Sequence, residues 1–383
     1  MKIALVKQDI YQDLYVCSKN ENCIGGGQEL SAEILKSTLM RIGPLGLIHD
    51  FDADFYIIKE QKTKECQAYK KSQEISENLK AQLKTLPANQ ITAEFFSFLN
   101  PLSDKSHADF SIEPEEVDWS KYDIVISINI SIPTEIVKKY KDTLWCYMYG
   151  EANFETPQYG YDCLLTQNIT GTVSSGLGTI DFPYTFLGKQ TLQEIAEKLF
   201  NTSKSKIEKN GIFAEINNTT ERPVKNCPCI ESAVSKLQNN MPVYLHNQNI
   251  IENLKNLYQA KYFVKLQGRK IRGNSVIEAI SAGTLVLMNP KDVIHSQLIP
   301  EEAWIHNEQE LVEKINFLEQ NPQAYNALLQ KERFLLDLFV IKAPVESLKN
   351  ALEAKRNGEV ISIPTHKEQL KRIVKKIIRK LTG

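Results

Sequence analysis

No stretch of this 383-residue sequence comes near the roughly 18 apolar residues that a bilayer-spanning helix needs. The first apolar run has only four residues, 3–6, before Lys7. It is too short for the core of a signal peptide and reads as a first strand. An excess of one charge is also missing, because 46 Lys and Arg stand against 47 Asp and Glu. The molecule as a whole therefore exerts no pull on nucleic acid, and none is expected as a partner. Cysteines are few, scattered and odd in number, at seven. With no leader expected, that count implies reduced thiols in a cytosol. Cys227-Pro228-Cys229 lacks the second Cys or His pair of a zinc site and reads as two loop thiols. The six histidines are dispersed, and spacing alone assembles neither a metal set nor a Ser/His/Asp set. Asp50-Phe51-Asp52-Ala53-Asp54 has the form of a metal-binding pair but immediately precedes a strand, the wrong end for a site. No metal and no cofactor are expected.

What the sequence does contain is a soluble globular pattern, with 42% apolar and 24% charged residues. The length exceeds one ordinary core, so two domains are the default. Apolar runs predict strands at residues 2–6, 54–58, 122–128, 144–149 and 162–166. A second set falls at 211–216, 243–245, 262–266 and 284–288. Helical patterns lie between them, at 29–40, 59–85, 136–140 and 190–200, then at 229–238, 249–258, 275–282, 308–319 and 322–335. Residues 86–118 read as irregular, with Pro87, Pro101 and Pro114. Alternation of strands and helices predicts parallel α/β sheets. The polar segment 201–206 is the natural boundary. The expected division is one α/β domain over 1–200, another over 207–350, and a helical tail over 351–383.

The densest chemistry lies in the stretch 265–290. A basic loop with Arg269, Lys270 and Arg272 follows the strand at 262–266. Gly273, Asn274 and Ser275 then open a helix, Gly283 closes it, and an apolar strand follows. Loops at the carboxyl ends of strands in open α/β sheets are where ligands bind. Free backbone N–H groups and the positive helix end would hold a phosphate there. Glu278, about one turn into the helix, is placed for a sugar hydroxyl. Arg222 and Lys225, beyond the strand at 211–216, form either a phosphate clamp or a solvated basic loop. Gly25, Gly26 and Gly27 precede a helix, but lie some eighteen residues after the first strand and do not match the dinucleotide fingerprint. They form either a flexible turn or a loop that admits a ligand close to the backbone. Glu151 and Asn153 follow the strand at 144–149 and would stand at the carboxyl end of the first sheet.

The run Gly273-Asn274-Ser275-Val276-Ile277-Glu278-Ala279, with Ala282-Gly283, the apolar strand and Asn289-Pro290, resembles the donor domain of GT-B glycosyltransferases. The clear match covers about residues 260–335. The resemblance implies two Rossmann-like domains facing a central cleft, the first on the acceptor side and the second on the donor side. It implies a nucleotide-sugar donor whose diphosphate rests on Arg269, Arg272, Gly273, Asn274 and Ser275, with Arg222 and Lys225 as the basic pair. Glu278 matches the glutamate that holds the ribose. The acidic residue that retaining members carry eight positions earlier is Lys270 here, so neither the sugar contact nor the stereochemistry is implied. The reaction would be glycosyl transfer to a glycan or lipid-linked acceptor, as in surface polysaccharide or glycoconjugate synthesis, without a metal. Glu151 is the candidate base. A sugar-nucleotide epimerase and a non-catalytic nucleotide- or glycan-binding protein are the alternatives.

Residues 365–383 place Leu370, Ile373, Val374, Ile377, Ile378 and Leu381 at helical spacing, with six Lys and Arg on the other face. That is a basic amphipathic helix. It fits either an anionic membrane surface or docking on its own domain. The expected location is cytoplasmic, peripheral at the inner face of the membrane if the first reading holds.

Overall fold

The computed structural model describes residues 1–8, 53–58, 113–128, 131–149, 160–166, 178–182, 207–215, 228–245, 250–266, 270–271, 274–359 and 361. The helical patterns expected at 29–40, 59–85 and 190–200, the boundary segment 201–206 and the basic tail 365–383 lie outside these residues.

Two parallel sheets form the framework. The first contains β1 (Ile3–Gln8), β2 (Asp54–Ile58), β3 (Ile124–Ile128), β4 (Leu144–Tyr149), β5 (Cys163–Thr166) and β6 (Gly178–Asp181), in the order β2-β1-β3-β4-β5-β6. A short helix, α1 (Thr134–Lys139), connects β3 to β4. The second sheet contains β7 (Ile212–Ala214), β8 (Val243–Leu245), β9 (Tyr262–Lys265) and β10 (Leu285–Met288), in the order β10-β9-β7-β8. Its helices are α2 (Pro228–Ser235), α3 (Ile250–Gln259), α4 (Asn274–Ala282), α5 (Glu308–Gln320) and α6 (Pro322–Leu336). A π-helical segment, Asp337–Lys342, joins α6 to α7 (Ala343–Arg356).

The strands read as unbroken apolar runs because both faces of a parallel sheet are covered. Alternate side chains sort into two layers. Leu5, Ile126, Cys146, Met148 and Leu165 pack on one face of the first sheet, and Val6, Val125, Trp145, Tyr147 and Leu164 on the other. The second face is aromatic, and its polar atoms have partners as burial requires. Trp119 Nε1 donates to Pro114 O at 2.8 Å, and the Tyr161 hydroxyl donates to Ser127 Oγ at 2.8 Å. Tyr122 donates to Asp54 at 2.7 Å, so the last member of the Asp50–Asp54 run is a structural acceptor.

Around the second sheet, α4 buries Val276, Ile277, Ala279 and Ile280, while α5 and α6 bury Leu311, Ile315, Leu328 and Leu336. Gly283 ends α4 with φ +79°, its N–H reaching Ile280 O at 3.0 Å and the Thr284 N–H reaching Ala279 O at 2.9 Å. This is the Schellman pattern that a left-handed residue permits. Lys209 closes the amino ends of the strands, donating to Tyr258 O at 2.7 Å and Thr284 Oγ1 at 3.0 Å.

β6 and the first part of α7 were not expected; residues 351–356 of α7 fall in the expected helical tail. β6 carries one buried apolar residue, Ile180, and sits at the sheet edge, so it has no alternation to detect. α7 begins at Ala343-Pro344, where a proline is tolerated only because it falls in the first turn. Leu338, Phe339 and Val340 pack with the second sheet's core, whereas Leu348, Ala351 and Leu352 pack on the first sheet. At the far end of α7, Lys355 pairs with Asp162 at 2.6 Å and Arg356 with Asp123 at 2.5 Å. Both cations also complement the negative end of the helix.

Glu332 is fully buried in α6, where its Oε2 accepts the Val286 N–H of edge strand β10 at 3.0 Å. Burial pushes its pKa well above the ordinary carboxylate range. A carboxyl whose folded pKa exceeds its unfolded one holds its proton more tightly in the native state. Its contribution is therefore fully present at low pH and declines as pH rises from the unfolded toward the folded pKa. In denaturant titrations of parent and Glu332→Gln, the parent should lose stability relative to the variant as pH rises above the ordinary carboxylate range, by at most about 1.4 kcal/mol per pH unit. A difference that does not change with pH would show that Glu332 is ionised in the native protein.

Candidate anion-binding site

Beyond the carboxyl ends of β9 and β10, backbone bonds join the chain that leads to α4 with the chain that leaves β10. β9 ends at Lys265, the basic loop follows, and α4 begins at Asn274. Both ends of the loop are fastened to the segment after β10. The Asn289 N–H reaches Lys265 O at 3.3 Å. The Ile271 N–H donates to Asp292 O at 2.8 Å, and the Ile294 N–H donates back to Ile271 O at 2.9 Å. Ile271 and Val293 thereby form a parallel bridge just outside the sheet. Asn289 itself caps a 3₁₀ turn, Pro290–Asp292, by accepting from the Lys291 N–H at 3.0 Å.

α4 has no acidic residue in its first turn. α5 differs, because Asn307 Oδ1 accepts the Glu310 N–H at 2.9 Å and Glu308 and Glu310 follow at once. The positive end of α5 is therefore answered from within the chain, whereas α4 brings no negative charge of its own to its N-terminal turn. Ser275 and Glu278 are half-buried on α4, three residues apart and thus on one side of the helix. Lys270 is exposed beside them in the sequence.

Buried polar residues follow the strands of this sheet, and the sequence did not announce them. Glu215, one residue beyond β7, is buried, as are Lys265 at the end of β9 and His295 after β10. Asp292 is half-buried, and burial pushes its carboxyl above the ordinary range against the opposing pull of the Lys265 ammonium. Lys265 sits inside an apolar run and Glu215 closes one. A charged residue at the final position of a buried strand was the signal available. Burial of such groups is costly and is sustained where they meet other polar groups.

Of the residues singled out, Asn274, Ser275 and Glu278 lie on α4, Ser275 and Glu278 on one side of it. Arg222, Lys225, Arg269, Arg272 and Gly273 lie outside the described residues, as do Glu151, Asn153, Gly25, Gly26 and Gly27. Among the described residues, no group of three or more His, Cys, Asp or Glu is placed to hold a metal ion, and no helix is long and apolar enough to cross a membrane.

No family model matches the chain, and no curated protein matches it in sequence. Several solved structures are similar to it. T4 phage BGT (beta-glucosyltransferase) in complex with UDP and Mn2+ is 12% identical, with 92% of this chain and 100% of that chain covered and a TM-score of 0.39. Anabaena HepE in complex with UDP is 11% identical, with 92% and 100% covered and a TM-score of 0.42. Sucrose-phosphate synthase from Thermosynechococcus elongatus is 11% identical, with 94% and 100% covered and a TM-score of 0.40.

The start of α4 can be tested with one substitution. Ser275→Asp puts a carboxylate where an anion would sit. It should stabilise the ligand-free protein by about 0.3–1 kcal/mol through the helix dipole. Pyrophosphate should raise the melting temperature of the parent and not that of the variant. Equal pyrophosphate stabilisation of both proteins would exclude this helix end as the site.

Proposed function

We propose that the protein is a glycosyltransferase that takes a sugar from a nucleoside-diphosphate sugar and passes it to a glycan or lipid-linked acceptor. The observation that carries this reading is the start of α4. A helix N-terminus without acidic residues stands at the carboxyl end of β9, behind a basic loop whose ends are tied to the segment following β10. In this reading, Arg269, Arg272, Gly273, Asn274 and Ser275 hold the diphosphate, and Arg222 and Lys225 close on it from beyond β7. Glu278 bonds the ribose. Residues 1–200 form the acceptor side, 207–350 the donor side and 351–383 a tail, except that α7 spans the last boundary and packs Leu348, Ala351 and Leu352 on the first sheet.

The acceptor oxygen attacks the anomeric carbon while the bond from that carbon to the diphosphate oxygen breaks. The leaving diphosphate takes the electron pair. Cationic side chains and helix N–H groups bind that oxygen more strongly as its charge grows, which lowers the barrier. Glu151 takes the acceptor proton if the reaction inverts. No step calls on a metal. Lys270 favours a second reading, a nucleotide-binding protein without turnover, because it places a cation where a retaining enzyme keeps an acid.

Thermal-shift screening of nucleotide sugars, followed by assay of nucleoside diphosphate release with and without acceptors, separates the readings. A transferase releases diphosphate in step with acceptor glycosylation. An epimerase changes the sugar without net transfer, and a binder shifts in melting temperature but releases nothing. Arg272→Ala should weaken nucleoside diphosphate more than nucleoside. Glu278→Ala should weaken nucleoside itself by about tenfold or more, as loss of a charged hydrogen bond does. Unchanged affinity of both variants for nucleoside diphosphate would sink the assignment.

The tail belongs to the same proposal. Residues 365–383 bind the anionic inner surface of a membrane and hold the enzyme near a lipid-linked acceptor. Deleting them should abolish sedimentation with phosphatidylglycerol-containing liposomes, and unchanged sedimentation would remove the membrane role.

A further inference from the structure

Cys146 and Cys163 face each other across β4 and β5. The parallel register pairs them directly. Neighbouring strands lie about 4.8 Å apart, a Cα separation that a disulfide can span. The two Sγ atoms are 3.2 Å apart on the same face of the sheet, and both thiols are free and fully buried. Closing to a bond of about 2.05 Å asks for roughly 1 Å of sulfur movement, which side-chain rotation supplies.

What covers the pair is also defined. α7 contacts β4 and β6, the two strands that flank β5, and so crosses over it. Leu348, Ala351 and Leu352 of α7 share one packed cluster with both cysteines. Lys355 pins the end of the helix to Asp162, the residue before Cys163, at 2.6 Å, and also donates to Thr143 O at 2.8 Å.

We propose that Cys146 and Cys163 are a thiol–disulfide modification site, oxidised by a small peroxide that gains access when α7 lifts from the first sheet. One cysteine, as its thiolate, attacks a peroxide oxygen. The O–O bond breaks, a sulfenic acid forms, and the departing oxygen leaves as water. The second sulfur attacks the sulfenic sulfur, the S–O bond breaks, and the hydroxide takes the second thiol proton as another water. Two thiols lose two electrons and two protons, and the peroxide becomes two waters. A dithiol reductant reverses the change by exchange. With α7 in place, burial pushes the Cys146 thiol above its ordinary pKa, so the reactive thiolate is scarce as well as covered. This inference does not depend on the donor site.

The test exposes the full chain to hydrogen peroxide under native conditions, with circular dichroism confirming that it stays folded. Remaining thiols are alkylated and peptides mapped by mass spectrometry. A linked Cys146–Cys163 peptide should appear, lighter by two hydrogens and released by dithiothreitol. Lys355→Ala, which frees the end of α7, should form it roughly fivefold faster, as expected from loss of a partly buried ion pair. Leu352→Val gives a milder loosening if that variant does not fold. Cys163→Ser should yield no linked product. Recovery of both cysteines as free thiols from parent and loosened variant would overturn the proposal, as would sulfinic acid at Cys146 without a cross-link. Equal rates in parent and loosened variant would overturn the part assigned to α7.

Discussion

Among the described residues, every strand pairing in both sheets is parallel. Much of the molecule follows from that constraint. A parallel sheet must be covered on both faces, so its strands leave little room for polar side chains along their length. Polarity is driven to the strand ends, and the two ends are used differently. At the amino ends, cations fasten neighbouring elements together. Lys209 ties Tyr258 and Ala260 to Thr284, and Lys355 and Arg356 clamp α7 to Asp162 and Asp123. At the carboxyl ends of the second sheet, Glu215, Lys265 and His295 are buried where their strands finish or just beyond. The amino ends are thus fastened by side-chain bonds, through ion pairs at the first sheet and through Lys209 at the second.

The framework was legible where residues had to alternate or run apolar for several positions. β3, β4 and β9 could be placed because a strand buried on both faces has no other composition available to it. Gly283 announced the end of α4, since a left-handed residue was needed there. β6 could not be read, because a short edge strand with only Ile180 buried carries no period. α7 was hidden for a different reason. Its apolar residues make sense only against a sheet nearly 200 residues earlier in sequence, and its opening Pro344 looks like a break. At the candidate site, Ser275 and Glu278 declared themselves by their spacing on one helix. Lys265 and Asp292 did not, because their proximity is produced by the turn after β10 pairing with Ile271 and leaves no mark in local sequence. The same holds for Cys146 and Cys163, which become neighbours only through the register of β4 with β5.

The path of α7 has a consequence for how the molecule comes into being. The layer over β4, β5 and β6 contains Leu348, Ala351 and Leu352, and the ion pairs that hold it come from Lys355 and Arg356. A ribosome delivers the chain from its amino end, at about 5–20 residues per second. The strands of the first sheet therefore emerge well before the helix that finishes one of their faces. The second sheet, whose strands, helices and core lie between residues 207 and 342, has all its parts in hand sooner. The part of the protein made first is thus the part completed last, and until then its apolar face needs shelter from the rest of the nascent chain or from a chaperone.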